Sequence, residues 1–325
     1  MLPPVTYQGG KGRLAEQIVE KMNIPAEATF YDLCCGSGAV SLALVNKGHS
    51  PEQIVMVDKG PWGLFWQAIG RGTFDLAVFR SYCDTLQGDP TDIKPVIEKW
   101  YREPVGADRI YVFLLLQASA IGGAAISHRG NQWVRSAGFR DYWLPTATSS
   151  RRSPVNPMMP MPETIYSRVA ELVTGMRGVC GLCADASLTT IEAPAVVYID
   201  PPYSGTSAYS HAIDAERTAR EAGVPCWVSE GKALTKHAYL LSVGRAKGGM
   251  TGDRKKAANE EWLSYFDPSK PCQDYAPDTL GPDQNVCTTC FYKGEEHRGA
   301  PPSYLCPVCD ELLGHKFNCS LNLER

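Results

Sequence analysis

Asp200-Pro201-Pro202-Tyr203 follows the apolar run Ala195-Val196-Val197-Tyr198-Ile199. This places a carboxylate, fixed carbonyls and an aromatic ring at the carboxyl end of a buried strand, where open α/β sheets hold ligands. Two prolines fix φ and stiffen the turn. The chemistry that suits such a group is activation of a conjugated amine. Adenine N6, for example, is a poor nucleophile because its lone pair is delocalised into the ring. An Asp oxygen and a backbone carbonyl accepting its two N–H bonds would favour a pyramidal nitrogen, while the Tyr face stacks on the base. A proline-rich turn after a strand has the same four residues, so the rest of the chain must discriminate.

Upstream, Thr29 to Leu33 leads into Cys34-Cys35-Gly36-Ser37-Gly38. Gly36 and Gly38 let the backbone approach a ligand where a Cβ would clash. Asp58 lies twenty residues after Gly38, at the end of the apolar run Gln53 to Val57. A carboxylate there can accept both hydroxyls of a ribose. A tight strand-to-helix turn without a ligand uses the same glycines. The spacing differs from G-x-x-x-x-G-K-[ST], which disfavours nucleotide triphosphate hydrolysis.

Cys287-x-x-Cys290 and Cys306-x-x-Cys309 stand fifteen residues apart near the C-terminus. Two thiolate pairs of this form predict a tetrahedral zinc ribbon. Four protein ligands leave no open position, so the ion would be structural. A loop-rich segment of this size has too little core to fold without a staple. His297, His315 and Cys319 are competing ligands. Cys180-x-x-Cys183 has metal-like spacing but no second pair nearby, and its apolar run predicts buried thiols. Pro271-Cys272-Gln273 lies in the tail as a coincidence of letters, and His211 is a lone histidine after the tetrapeptide.

The elements that must position these groups follow an α/β pattern. Residues 11–22 carry Leu14, Ile18, Val19 and Met22 on one helical face. Strands are predicted at 29–33 and 53–57, with a helical run from 39 to 45 between them. That is half of a nucleotide-binding unit. Residues 76–121 read as largely helical, 122–162 as an extended Gly/Ser/Arg/Pro loop region, and 163–176 as helix. Further strands are predicted at 179–183, 195–199, 226–229, 239–243 and 261–266, with a helix at 215–222.

Apolar residues make up 44% and charged residues 21% of the 325 residues, which excludes a mostly disordered chain and a coiled coil. The longest apolar run, Ile110 to Leu116, is too short to span a bilayer. No basic-apolar leader is read at the N-terminus, so a cytoplasmic location is expected. The formal net charge is −3, so any nucleic-acid surface must be local.

Together these motifs resemble the D12-class (Dam-like, alpha-group) DNA adenine N6-methyltransferases, over roughly residues 5–266. Tyr7-Gln8-Gly9-Gly10-Lys11 looks like that family's N-terminal G-G-K motif. Asp32 to Gly38 looks like its glycine motif, with Cys34-Cys35 where Pro or Phe is more usual. Asp58 stands as the family's ribose-binding acid and Asp185 as the acid that contacts the cofactor's adenine. Asp200, Pro201, Pro202 and Tyr203 match the catalytic tetrapeptide, and the linear order is that of the alpha group. The resemblance implies a Rossmann-like, seven-stranded, mostly parallel sheet of a class I S-adenosylmethionine-dependent methyltransferase. It implies cofactor contacts from Tyr7, Gln8, Gly9, Gly10, Lys11, Asp32, Cys34, Gly36, Gly38, Asp58 and Asp185. It divides residues up to 267 into a catalytic core (1–75 and 166–267) and a helical and loop target-recognition insert (76–165); from Pro268 the change to Pro, Cys, Asp and Gly marks the zinc-ribbon-like module (268–325).

The insert carries Arg129, Arg135, Arg140, Arg151 and Arg152 among Gln132, Trp133, Phe139, Tyr142 and Trp143. Arginines can pair with phosphates or guanine edges, and aromatics can fill the gap left by a flipped base. DNA is the expected partner. Cytosine N4 in DNA and a base in RNA remain alternatives, as does a catalytically silent binder in which the zinc module does the work. The layout suggests a solitary enzyme of bacterial or phage origin, independent of restriction, and leaves the oligomeric state open.

Overall fold

In the central strands β1 (Thr29–Leu33) and β6 (Ala195–Ile199) every residue but Thr29 is buried, as expected where both faces of a parallel sheet are covered. The computed structural model describes residues 1–202, 213–245 and 258–269. In chain order the first part of the molecule holds α1 (Ala15–Met22), β1, α2 (Ala39–Asn46), β2 (Ile54–Val57), α3 (Pro61–Arg71), α4 (Leu76–Asp84), α5 (Pro90–Arg102) and α6 (Arg109–Ser119). There follow β3 (Ile126–Arg129), β4 (Gln132–Arg135), α7 (Pro162–Gly175), β5 (Cys180–Leu182) and β6, then α8 (Ala215–Glu221), β7 (Cys226–Glu230), β8 (Ala238–Arg245) and β9 (Ala258–Phe266). The sheet has seven strands in the order β5-β2-β1-β6-β7-β9-β8. It is parallel across β5-β2-β1-β6 and antiparallel across β7-β9-β8. The α/β class and seven-stranded sheet match the expectation from sequence.

Residues Met1–Ala215 form one compact unit and Glu216 onward a second. Within the first, α1 buries Ala15, Ile18, Val19 and Met22 and ends at Asn23, whose left-handed backbone closes the last turn onto Val19. Asp75 caps α4 through the N–H groups of Ala77 and Val78, and Asp89 caps α5 through Thr91. Residues 76–121 are largely helical, as predicted. Phe74, Phe79, Tyr111 and Tyr166 form a continuous aromatic cluster that joins α4 and α6 to α7. In the second unit, β9 pairs with both β7 and β8, and Arg220 of α8 lies over the Phe266 ring.

Three features depart from the sequence reading. Helix α3 was not anticipated, although Pro61 starts it, Gly72 ends it in a left-handed turn, and Trp62, Phe65, Trp66 and Ile69 recur at helical spacing. The region 122–162 is not uniformly loop. It contains the antiparallel hairpin β3–β4, with Ile126 and Trp133 buried. The buried Gln117 of α6 organises the entry to that hairpin. Its amide donates to the carbonyls of Gly123 and Ala124 and accepts from the Ile126 N–H. Finally, Cys180 and Cys183 are exposed rather than buried. Strand β5 is a three-residue edge strand, and Gly181 occupies its inward position.

Candidate active site

The chain order reverses beside β1. β2 and β5 lie on one side of it and β6 on the other. The crevice outside the carboxyl ends of the strands at such a reversal is where α/β sheets take ligands. Backbone hydrogen bonds extend the sheet one or two residues past the strand ends. Cys35 N donates to Val57 O at 3.0 Å, Asp58 N to Leu182 O at 3.1 Å, and Asp200 N to Leu33 O at 3.2 Å. The glycine turn, Asp58 and Asp200 are thereby brought to one edge, and the Lys59 ion pair ties Asp185 to the end of β2.

The two glycines answer to the protein's own packing. A Cβ at Gly38 would lie 2.4 Å from Trp66 Cζ2 and 2.6 Å from Met56 Cε. A Cβ at Gly36 would meet the Tyr7 ring at 3.1 Å. Both have positive φ, 48° and 75° for Gly36 and Gly38, and Cys34 shares that region at 63°, uncommon for a residue with a side chain. Trp66 Nε1 donates to Gly36 O at 2.9 Å, so α3 holds the turn from outside the motif. Trp66 is a supporting residue that reading the glycine motif alone did not find.

Each acid meets a different environment. Asp32 is 2% exposed, and Ser41 Oγ donates to it at 2.6 Å. Burial pushes its carboxyl up to about 7. The Ser41 hydrogen bond opposes this, and the charges of Asp200 and Asp58 add to it. It stands behind the edge as a bracing group, not open to a ligand. Asp58 is half-buried and accepts from Gly60 N at 2.7 Å and Gly36 N at 3.2 Å. Burial raises its pKa while these two bonds lower it. Asp185 pairs with Lys59 at 2.8 Å and accepts from Ser187 N at 3.1 Å and Ser187 Oγ at 2.7 Å. Lys59 leads the groups that hold its carboxyl down to about 2. Ser41 and Lys59, like Trp66, carry no motif signature.

Opposite them lies the N-terminal turn. Gly10 N donates to Tyr7 O, and Gln8 N donates to Gly123 O beside the entry to the hairpin. Gln8, Gly9 and Gly10 are exposed. Tyr7 meets Trp62 edge-on, with ring centroids 5.8 Å apart. Lys11 is 6% exposed, and its Nζ lies 2.6 Å from Asp200 Oδ1 and 3.0 Å from Gly9 O. Pro201 is buried and Pro202 half-buried. Tyr203 and His211 lie outside the described residues.

The five insert arginines separate by environment. Arg135 pairs with Glu98 at 3.1 Å and lies over the rings of Tyr101 and Phe139. Arg140 Nη1 donates to Ala118 O at 2.9 Å, and burial lowers its pKa. Both serve the fold. Arg151 is exposed and donates to Ser153 O, and Arg129 and Arg152 are exposed. Arg129 faces Gln132 across the hairpin, with Ser127 facing Val134 on the same side. Alternation turns this face away from buried Trp133 and Ile126.

Cys287, Cys290, Cys306 and Cys309 lie outside the described residues, as do His297, His315, Cys319 and Pro271 to Gln273. Among the described residues no three His, Cys, Asp or Glu side chains gather as a metal site, and no helix is long and apolar enough to cross a membrane. Set against the models of known protein families and against curated proteins, the chain matches none.

Proposed function

We propose that the chain is an S-adenosylmethionine-dependent methyltransferase acting on the N6 amine of adenine in DNA, presented as a flipped base. One observation carries the reading. Asp58, Asp185 and Asp200 leave neighbouring parallel strands at a single edge, beside a left-handed glycine turn and at the reversal of chain order. Carboxylates so placed fit the ribose hydroxyls, the purine amine and the cationic centre of this cofactor. When bound, the cofactor supplies a methyl group on a positively charged sulfur.

The chain's own residues do the rest. Asp58 holds the glycine turn through the Gly36 N–H, accepts also from Gly60 N, and has lone pairs left for ribose hydroxyls. Asp185 serves the adenine end. Asp200 and the Pro201 carbonyl accept the two N–H bonds of the substrate amine, and Tyr203 stacks on the base. Rate enhancement comes from positioning and from fixed charge. The hairpin β3–β4 is a two-stranded ribbon whose outward face carries Ser127, Arg129, Gln132 and Val134. Such a ribbon fits a DNA major groove. The paired thiolates beyond residue 286 would hold a structural zinc.

Product analysis tests this reading. The purified chain is incubated with S-adenosylmethionine and unmethylated mixed-sequence DNA, and the digested nucleosides are identified by mass spectrometry. N6-methyladenine is expected. N4-methylcytosine would keep the chemistry and correct the base. Methylation of RNA alone would correct the substrate. No product, with no thermal shift from S-adenosylhomocysteine, would reject the reading.

A further inference from the structure

We propose that Lys11 is the positioning residue of Asp200, holding that carboxylate ionised and oriented so that it accepts a hydrogen bond from the substrate amine. This rests on the methyltransferase reading of the site. The resemblance assigns Lys11 to the cofactor, whereas the geometry directs its ammonium to the catalytic strand.

The Lys11 side chain is almost wholly buried, and its Nζ lies between Gly9 O at 3.0 Å and Asp200 Oδ1 at 2.6 Å. Its backbone is fixed as well. Leu14 N and Ala15 N both donate to Lys11 O at 2.8 Å at the start of α1. The turn before it is closed by Gly10 N on Tyr7 O. A charge held by such a frame is pre-organised, which is the condition for aiming a partner.

Asp200 has need of a cation. The titratable groups at this end of β6 include Lys11, Asp32 and Cys34, with Asp58 acting in turn on Asp32 and Cys34 and Asp185 on Cys34. The charge of Asp200 pushes both Asp32 and Cys34 upward. The interaction is mutual, so a negative charge on either disfavours ionisation of Asp200. A protonated Asp200 would present a hydroxyl donor where the amine needs an acceptor. A neighbouring ammonium reverses that balance. Its bond to Oδ1 also fixes the direction in which the carboxylate faces.

The test uses the full chain with carboxyl-13C aspartate, the Asp200 signal being assigned by its loss in Asp200→Asn. Lys11→Met is expected to move the Asp200 titration midpoint upward, and Lys11→Arg to leave it near the wild-type value. The acid limb of kcat/KM should follow, so that Lys11→Met loses about tenfold or more at pH 7 and recovers towards pH 9. S-adenosylhomocysteine affinity should change by less than about threefold. A Lys11→Met protein with a wild-type melting profile and an unmoved Asp200 midpoint would overturn the proposal. So would an equal loss at every pH accompanied by weakened S-adenosylhomocysteine binding, which would return Lys11 to the cofactor. If the wild type transfers no methyl group while the midpoint still moves, the reading of the site fails and the pairing stands.

Discussion

Lys59, just past the end of β2, reaches the turn after β5 and meets Asp185 at 2.8 Å. The pair spans two strand ends at the edge where the adenine end of the cofactor is proposed to bind. Both partners are partly exposed, so the pair stabilises the fold by no more than about 1 kcal/mol.

For Asp185 to accept a bond from an adenine amine, one of its oxygens must be released from Lys59 or shared. Lys59→Met is therefore expected to leave the melting temperature nearly unchanged. It should tighten S-adenosylhomocysteine binding by up to about fivefold. Calorimetric titration of both proteins checks this, and weaker binding in the variant would show that Lys59 itself contacts the ligand.

Asp32 makes stability depend on pH in an unusual direction. The unfolded chain releases its proton in the ordinary carboxylate range, while the folded protein holds it up to about 7. Between those values the unfolded state binds fewer protons, so stability falls as pH rises. The slope from this one group is at most about 1.4 kcal/mol per pH unit. Asp32→Asn keeps an acceptor for Ser41 and removes the titration. Urea unfolding at pH 4.5, 6 and 7.5 should show a flatter profile in the variant, and parallel profiles would refute the assignment.

The hairpin arginines should divide by role. Arg129→Ala is expected to weaken DNA binding and to lower the salt slope of the binding constant by about one, without loss of stability. Arg135→Ala leaves Glu98 without this partner and empties the space over Tyr101 and Phe139. It should instead destabilise the protein by about 1–3 kcal/mol. Fluorescence anisotropy across a salt series, with chemical unfolding beside it, separates the two effects.

The full chain should carry one zinc ion, measured by atomic emission. Substituting Ser for Cys287 or Cys306 should remove it. S-adenosylhomocysteine binding should persist, because the proposed cofactor edge lies wholly within residues 1–202. Loss of binding together with the metal would tie the module to that site.

Much of the fold was legible because burial writes itself locally. Apolar runs ending in Asp58 and Asp200 marked parallel strands, and strand β6 falls on the run read for it. Prolines and glycines marked where chains turn. Local pattern failed where a distant partner decides the outcome. Gln117, directly after the longest apolar run, has its amide bonded to a turn and the hairpin beyond it. Cys180 and Cys183 are exposed because β5 is an edge strand, which pairing decides and hydropathy does not.

At the candidate site, the chemical types and their order along the chain were present in the letters. A Gly-rich turn, ribose-distance acid and D-P-P-Y tetrapeptide need no coordinates to be recognised. Roles were assigned by contacts distant in sequence. Asp32 became a bracing acid through Ser41, Gly38 is required by Trp66, and Lys11 meets Asp200 across 189 positions. Burial and charge pairing depend on what folding brings within a few ångströms, and a linear pattern carries no such distance.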